Sequence, residues 1–93
     1  MKISSQKKEK ISEQILLVLY SSNPSPIFTS HIAKEIARDE EFVKSLLNGL
    51  KNKKLVVEIK KNPKGIDYAR RSRWKLTDWA YNIYKKYQQN ILT

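Results

Sequence analysis

Apolar residues recur along this chain with two different periods. From Lys8 to Ser21, Ile11, Ile15, Leu16, Val18 and Leu19 fall mostly three and four apart, which places one apolar stripe on a helix. The helix must stop in Ser21, Ser22, Asn23, Pro24, Ser25 and Pro26, because each proline withholds an amide donor and small polar residues favour turns. Ile27 and Phe28 favour extended backbone and are expected to pair as a short strand. A second helix follows, capped by Thr29 or Ser30, with Ile32, Ala33 and Ile36 on its buried side. Ala37 and Arg38 make the turn. Asp39 is placed to cap a third helix, and Glu40 and Glu41 in its first turn complement the positive end of the helix dipole. Val43, Leu46, Leu47 and Leu50 form its core stripe. That stripe turns Glu41, Lys44, Ser45, Asn48 and Asn52 outward, with Gly49 beside them. A mid-helix glycine costs about 1 kcal/mol relative to alanine, so Gly49 is expected to meet a neighbouring backbone or a partner at close range.

Beyond Lys54 the period becomes two. Leu55, Val57 and Ile59 alternate with Val56, Glu58 and Lys60, and Ser72, Trp74 and Leu76 alternate with Arg71, Arg73 and Lys75. The loop between them, Lys61 to Asp67, carries Pro63 and Gly65 as turn residues. A β-hairpin is predicted, one face on the core. The last element starts at Thr77, a candidate N-cap, and runs to about Leu92 with Trp79, Ala80, Ile83, Tyr84, Tyr87 and Ile91 on one side. Met1 to Lys10 shows no sustained apolar period and reads as a frayed tail or an arm that orders on a partner. The fold class is therefore mainly α with a small β-hairpin (α+β).

Ninety-three residues make one small core. A formal net charge of +10 points to a polyanionic partner, nucleic acid before an anionic membrane surface. Residues 60–75 hold seven basic side chains against Asp67, so more than half of the excess charge lies on the hairpin. The longest apolar run, Ile15 to Tyr20, is far shorter than the roughly 20 residues of a membrane span. The N-terminus lacks a signal peptide's apolar core, so a cytoplasmic protein is expected. With no cysteine and one histidine, no metal centre or cofactor is expected. No nucleophile–base spacing, Gly-rich phosphate loop or acidic cluster suggests an enzyme.

The order helix, short strand, helix, turn, helix, basic two-stranded wing, helix resembles the winged helix-turn-helix superfamily over about residues 11–90. Within it the chain looks most like small MarR/PadR-type regulators. Ile32 and Ala33 with Ile36 match the Leu-Ala and following apolar position of that family. Leu50, Lys51, Asn52, Lys53, Lys54, Leu55 and Val56 match its Leu-x-x-x-Gly-Leu-Val exit into the wing, with Lys54 in place of the usual glycine. Arg73, Trp74, Lys75, Leu76 and Thr77 match the return strand leading to the last helix, and Ala80 replaces a glycine usual shortly after it. The resemblance implies an N-terminal arm (1–10), a winged helix-turn-helix domain (11–76) and a C-terminal dimerisation helix (77–93). It further implies a homodimer on double-stranded, palindromic DNA, with the third helix in the major groove and the wing on the backbone or minor groove.

Candidate DNA-contacting residues are Ser30, His31 and Lys34 on the second helix and Glu41, Lys44, Ser45, Asn48, Gly49, Lys51 and Lys53 on the third. Lys61, Lys64, Arg70, Arg71 and Arg73 are the candidates on the wing. Asn can pair bidentately with adenine and Arg can fork onto phosphate. The plain alternatives are a hairpin that is only a solvated cationic surface, acidic residues that only cap their helix, and a His31 that is an ordinary surface residue. Tyr84, Tyr87 and Ile91 extend the aromatic stripe beyond what so small a domain covers, although Trp79 and Ile83 could close the monomer's core. The dimer face is thus assigned to Ile11 and Ile15 with Trp79, Ile83, Tyr84, Tyr87 and Ile91. Two roles fit: a transcriptional repressor or autoregulator, or an adaptor resembling archaeal plasmid partition proteins, which bind a centromere, spread on DNA and engage a partition partner. A winged-helix protein-interaction module without DNA reading is the alternative, and a neutral or acidic wing would have favoured it.

Overall fold

The computed structural model describes residues 5–60 and 72–92, and the side chains of residues 6–60 and 72–87. Its elements are α1 (Ser5–Ser22), β1 (Ile27–Phe28), α2 (Thr29–Glu35), α3 (Glu40–Asn52), β2 (Val56–Ile59), β3 (Arg73–Leu76) and α4 (Asp78–Leu92). The order is the expected one. One boundary differs: α1 begins at Ser5, so residues 5–10 are helical and not a frayed tail. Gln6, Lys7, Lys8, Glu9 and Lys10 are good helix formers with no breaker among them, and they extend the helix that Ile11 and Ile15 anchor.

The short strand at Ile27 pairs antiparallel with β3, which lies in the middle of a three-stranded sheet ordered β1-β3-β2. Val56 stands opposite Leu76, Glu58 opposite Trp74 and Ile59 opposite Arg73. Residues directly opposite share a face, so Val56 and Glu58 lie on the side of Trp74 and Leu76, whereas Val57 and Ile59 lie on the other. The core is built from Ile11, Ile15, Leu16 and Leu19 of α1, Ile32 and Ala33 of α2, Val43, Leu47 and Leu50 of α3, and Val56, Trp74, Leu76 and Ala80. Ile11 and Ile15 are only 3% and 0% exposed. Their assignment to a dimer face is therefore corrected: the monomer's own core consumes both.

Thr29 also departs from expectation. The residue preceding α2 is Phe28, and no side chain caps that helix. Instead the buried Thr29 Oγ1 accepts a 2.8 Å hydrogen bond from Trp74 Nε1, across 45 positions of sequence. An indole N–H enclosed in an apolar core must find an acceptor, and Thr29 provides it. The other two caps form as read. Asp39 accepts from the Phe42 amide at 3.1 Å. Thr77 Oγ1 accepts from the Ala80 amide at 3.1 Å while donating toward the Lys54 carbonyl at 3.0 Å, which fastens the start of α4 to the end of α3.

Both helices of the central pair end the same way. At the end of α2 the Arg38 amide bonds Ala33 O at 2.9 Å and the Ala37 amide bonds Lys34 O at 3.3 Å, with Ala37 at φ 55°. At the end of α3 the Leu55 amide bonds Leu50 O at 3.0 Å and the Lys54 amide bonds Lys51 O at 2.9 Å, with Lys54 at φ 62°. These are Schellman closures, in which the left-handed residue is usually glycine. Alanine and lysine occupy it here at some cost in strain, and the closure keeps its hydrogen bonds without glycine. Gly49, by contrast, has nothing within 4 Å of where a Cβ would sit among the described residues, so no backbone described there explains it.

Replacing Thr29 with Val keeps the shape and removes the acceptor. The stranded Trp74 N–H should lower unfolding free energy by about 1–3 kcal/mol, read as a reduced urea midpoint with an unchanged m-value; an unaltered midpoint would show that the bond contributes nothing net.

Candidate nucleic-acid interface

α3 is held by its buried side and at both ends. Val43, Leu47 and Leu50 are buried, Asp39 closes the N-terminus, and the Schellman turn closes the other end. Glu41, Lys44, Ser45, Asn48, Gly49, Lys51, Asn52 and Lys53 are all exposed. The helical repeat divides them into three strips. Glu41, Asn48 and Asn52 point most directly away from the core. Lys44 and Lys51 lean toward the sheet, and Lys51 Nζ reaches Glu58 of β2 at 3.0 Å. Ser45, Gly49 and Lys53 lean the other way, lining an open groove of about 470 Å³ against Lys8, Ser12 and Glu13 of α1.

Several side chains arrive partly committed. Ser45 Oγ donates its proton to the Phe42 carbonyl at 2.6 Å, so toward a ligand it offers lone pairs only. Lys51 spends one of three ammonium protons on Glu58. Ser30, His31 and Lys34 lie exposed on α2, where His31 Nε2 is 3.6 Å from Glu35 Oε1 on a solvated face. Arg73 lies between Phe28 and Ile59 in the sheet register, half-buried with its Nε shut off from solvent, and so presents less of its guanidinium than a free wing arginine would. Lys61, Lys64, Arg70 and Arg71 lie outside the described residues.

Glu58 is a functional candidate that only the tertiary structure reveals. Its side chain is only 9% exposed; it accepts hydrogen bonds from Lys51 Nζ and the Ser72 hydroxyl and lies 3.9 Å from Lys60 Nζ, an ion pair without a hydrogen bond. Burial pushes its carboxyl up, but the Ser72 hydrogen bond and the Lys51 and Lys60 ammoniums outweigh this and hold it below the ordinary glutamate value of 4.5. A lone glutamate in a strand pattern gave no sign of this; its two hydrogen-bond donors lie seven and fourteen residues away.

A second surface lies along α1 and α4. Trp79, Ile83 and Tyr87 are 59%, 46% and 61% exposed, and Leu17, absent from the sequence-based set, is 49% exposed. Leu17, Ile83, Tyr84 and Tyr87 line one groove with Glu13 at its edge. Tyr84 is half-buried against Tyr20, with ring centroids 5.9 Å apart, and burial followed by Glu13 and Tyr87 raises its phenol's pKa. The side chain of Ile91 is outside the described set. Among the described residues no cluster of side chains could hold a metal ion, and no helix is long and apolar enough to cross a membrane.

No family model and no curated protein matches the chain by sequence. Its backbone is similar to solved structures. MepR of Staphylococcus aureus in complex with DNA is 24% identical, with a TM-score of 0.70 over 90% of this chain and 68% of that one. ZitR of Lactococcus lactis is 19% identical, with a TM-score of 0.66 over 96% of this chain. A candidate DNA-binding protein of Ralstonia eutropha is 17% identical, with a TM-score of 0.67 over 83% of this chain and 93% of its own. The chain spans 53% of the ZitR structure and 59% of a mutant MepR structure. The shared architecture is the winged helix-turn-helix.

Two outcomes follow from this geometry. Glu58 has a depressed folded pKa, so its contribution is complete above the unfolded value of 4.5 and is lost as pH falls through the folded one. The stability gap between the native chain and Glu58→Gln should therefore shrink on acidification below that range, as urea midpoints along a pH series would show. Gly49→Ala should stabilise the chain by about 1 kcal/mol because the added methyl meets open space; a destabilised variant would contradict the open face.

Proposed function

We propose that this chain is a sequence-specific, double-stranded-DNA-binding transcription regulator that acts as a homodimer, most simply as a repressor or autoregulator. The observation that carries the reading is the solvated face of α3: a capped helix of the width a major groove admits, standing clear of its own core on a protein of net charge +10. The fold it shares with MepR, a transcription regulator of an efflux pump whose structure is known in complex with DNA, supports the same reading.

Roles divide by chemistry. Asn48 suits a bidentate pair with adenine, and Glu41 and the lone pairs of Ser45 suit acceptance from a base amino group. Lys44, Lys51 and Lys53, with Ser30, His31 and Lys34 from α2, suit phosphates, which position the helix without specifying sequence. Lys61, Lys64, Arg70 and Arg71 fall between β2 and β3 and would carry much of the salt-dependent attraction. The exposed Leu17, Trp79, Ile83 and Tyr87 supply an apolar face for a second copy, since soluble monomers rarely leave such patches uncovered. A two-fold dimer would set two α3 helices on half-sites about one helical turn apart.

Footprinting on DNA upstream of the gene should give a bounded palindrome, and Asn48→Ala should reduce the preference for that site over random duplex by about 1–3 kcal/mol. Equal loss on both duplexes would reassign Asn48 to positioning. Protection growing outward with protein concentration would replace the repressor with a spreading, partition-like protein, and a monomer in sedimentation at micromolar concentration would remove the dimer.

A further inference from the structure

Glu58 sits where the wing leaves the sheet. Ile59 opposite Arg73 is the last pair of the β2–β3 ladder, and Lys60 and Ser72 are the first residues beyond it on either side. The Glu58 carboxylate holds both: Oε2 accepts from the Ser72 hydroxyl, and Oε1 lies 3.9 Å from Lys60 Nζ. The same Oε1 accepts from Lys51 Nζ at 3.0 Å, and Lys51 belongs to the last turn of α3. One nearly enclosed side chain therefore joins the end of α3 to both strands at the root of the hairpin.

The placement is otherwise unfavourable. A carboxylate next to a surface meant for a polyanion repels it, and a half-buried strand position would ordinarily take Val or Thr. Hydrophobic packing could hold the strands together but would not tie them to a flexible lysine on a helix. Charge-assisted hydrogen bonds are directional and stronger than neutral ones, so they can fix a relative orientation.

We propose that Glu58 is a positioning residue that locks the ends of β2 and β3, at the root of the wing, to the last turn of α3, so that the helix and this strand pair meet DNA as one rigid unit. This rests on the DNA-binding reading above. It makes Lys51 a shared ligand, bonded to Glu58 with one proton and free to meet a phosphate with the others. It also gives Ser72 a role that composition does not suggest, that of fastening the returning strand.

The test sets geometry against charge. Glu58→Gln removes a negative charge and releases Lys51 and Lys60, so on charge alone a random-sequence duplex should bind more tightly, with a steeper dependence of log affinity on log salt. Loss of the lock predicts the reverse: several-fold weaker binding, and a slope flattened by about 0.9 for each phosphate that the wing no longer neutralises. Ser72→Ala should reproduce the effect in part and Ser72→Thr should not, because threonine keeps the hydroxyl.

Amide hydrogen exchange on the protein without DNA supplies an independent readout. In Glu58→Gln, protection should fall at Ile59 and Arg73 and persist at Thr77, whose amide bonds Leu55 O at 3.1 Å at the far end of the same strand pair. A uniform loss, or none, would overturn the proposal, as would tighter binding with a steeper slope. If the native chain binds no duplex at low salt, the DNA reading fails, and the exchange pattern alone decides whether the lock exists.

Discussion

Trp74 is the point on which the rest of the structure depends. It lies on the middle strand, has no exposed surface, and donates its only proton to Thr29 at the start of α2. A large indole fully removed from water contributes much of the available apolar burial, but its N–H must be satisfied or the burial loses part of its value. Meeting that requirement fixes α2 against β3. Because β3 pairs with β1 on one side and β2 on the other, the same bond sets where the short strand lies and where the wing begins.

From that anchor the position of α3 follows by a series of closures. Left-handed Ala37 turns the chain out of α2, Asp39 caps the next helix, left-handed Lys54 ends it, and Thr77 ties that end to α4. α3 therefore has its buried side and both ends fastened, which leaves one solvated face. A reading element needs that combination: rigid enough to hold polar side chains in register, yet contributing no more to the core than one stripe.

The electrostatics are arranged in the same way. Most of the excess charge lies along the wing segment, while the face of α3 mixes Glu41 with Lys44, Ser45 and Asn48. Affinity from the wing and choice from the helix would be separable functions, and the Glu58 carboxylate lies at the junction between them. The apolar face of Leu17, Trp79, Ile83 and Tyr87 is on the other elements, α1 and α4, so self-association and DNA binding would use different parts of the chain.

The sequence by itself determined the number, order and approximate bounds of the elements, the caps at Asp39 and Thr77, and the polar face of α3, because each depends on residues within one or two turns of one another. It misread what depends on distant partners. Thr29 looked like a cap until Trp74, far along the chain, claimed its oxygen. Ile11 and Ile15 looked available to a second copy until the other helices closed over them, and Leu17, on the same helix, was left exposed. Local periodicity says that a side chain has an apolar neighbour but not whether that neighbour belongs to the same molecule. Glu58 shows the same limit for polar groups: its burial and its bonds to Lys51 and Ser72 exist only because the sheet register and the end of α3 bring separate segments together, and only the tertiary structure decides that.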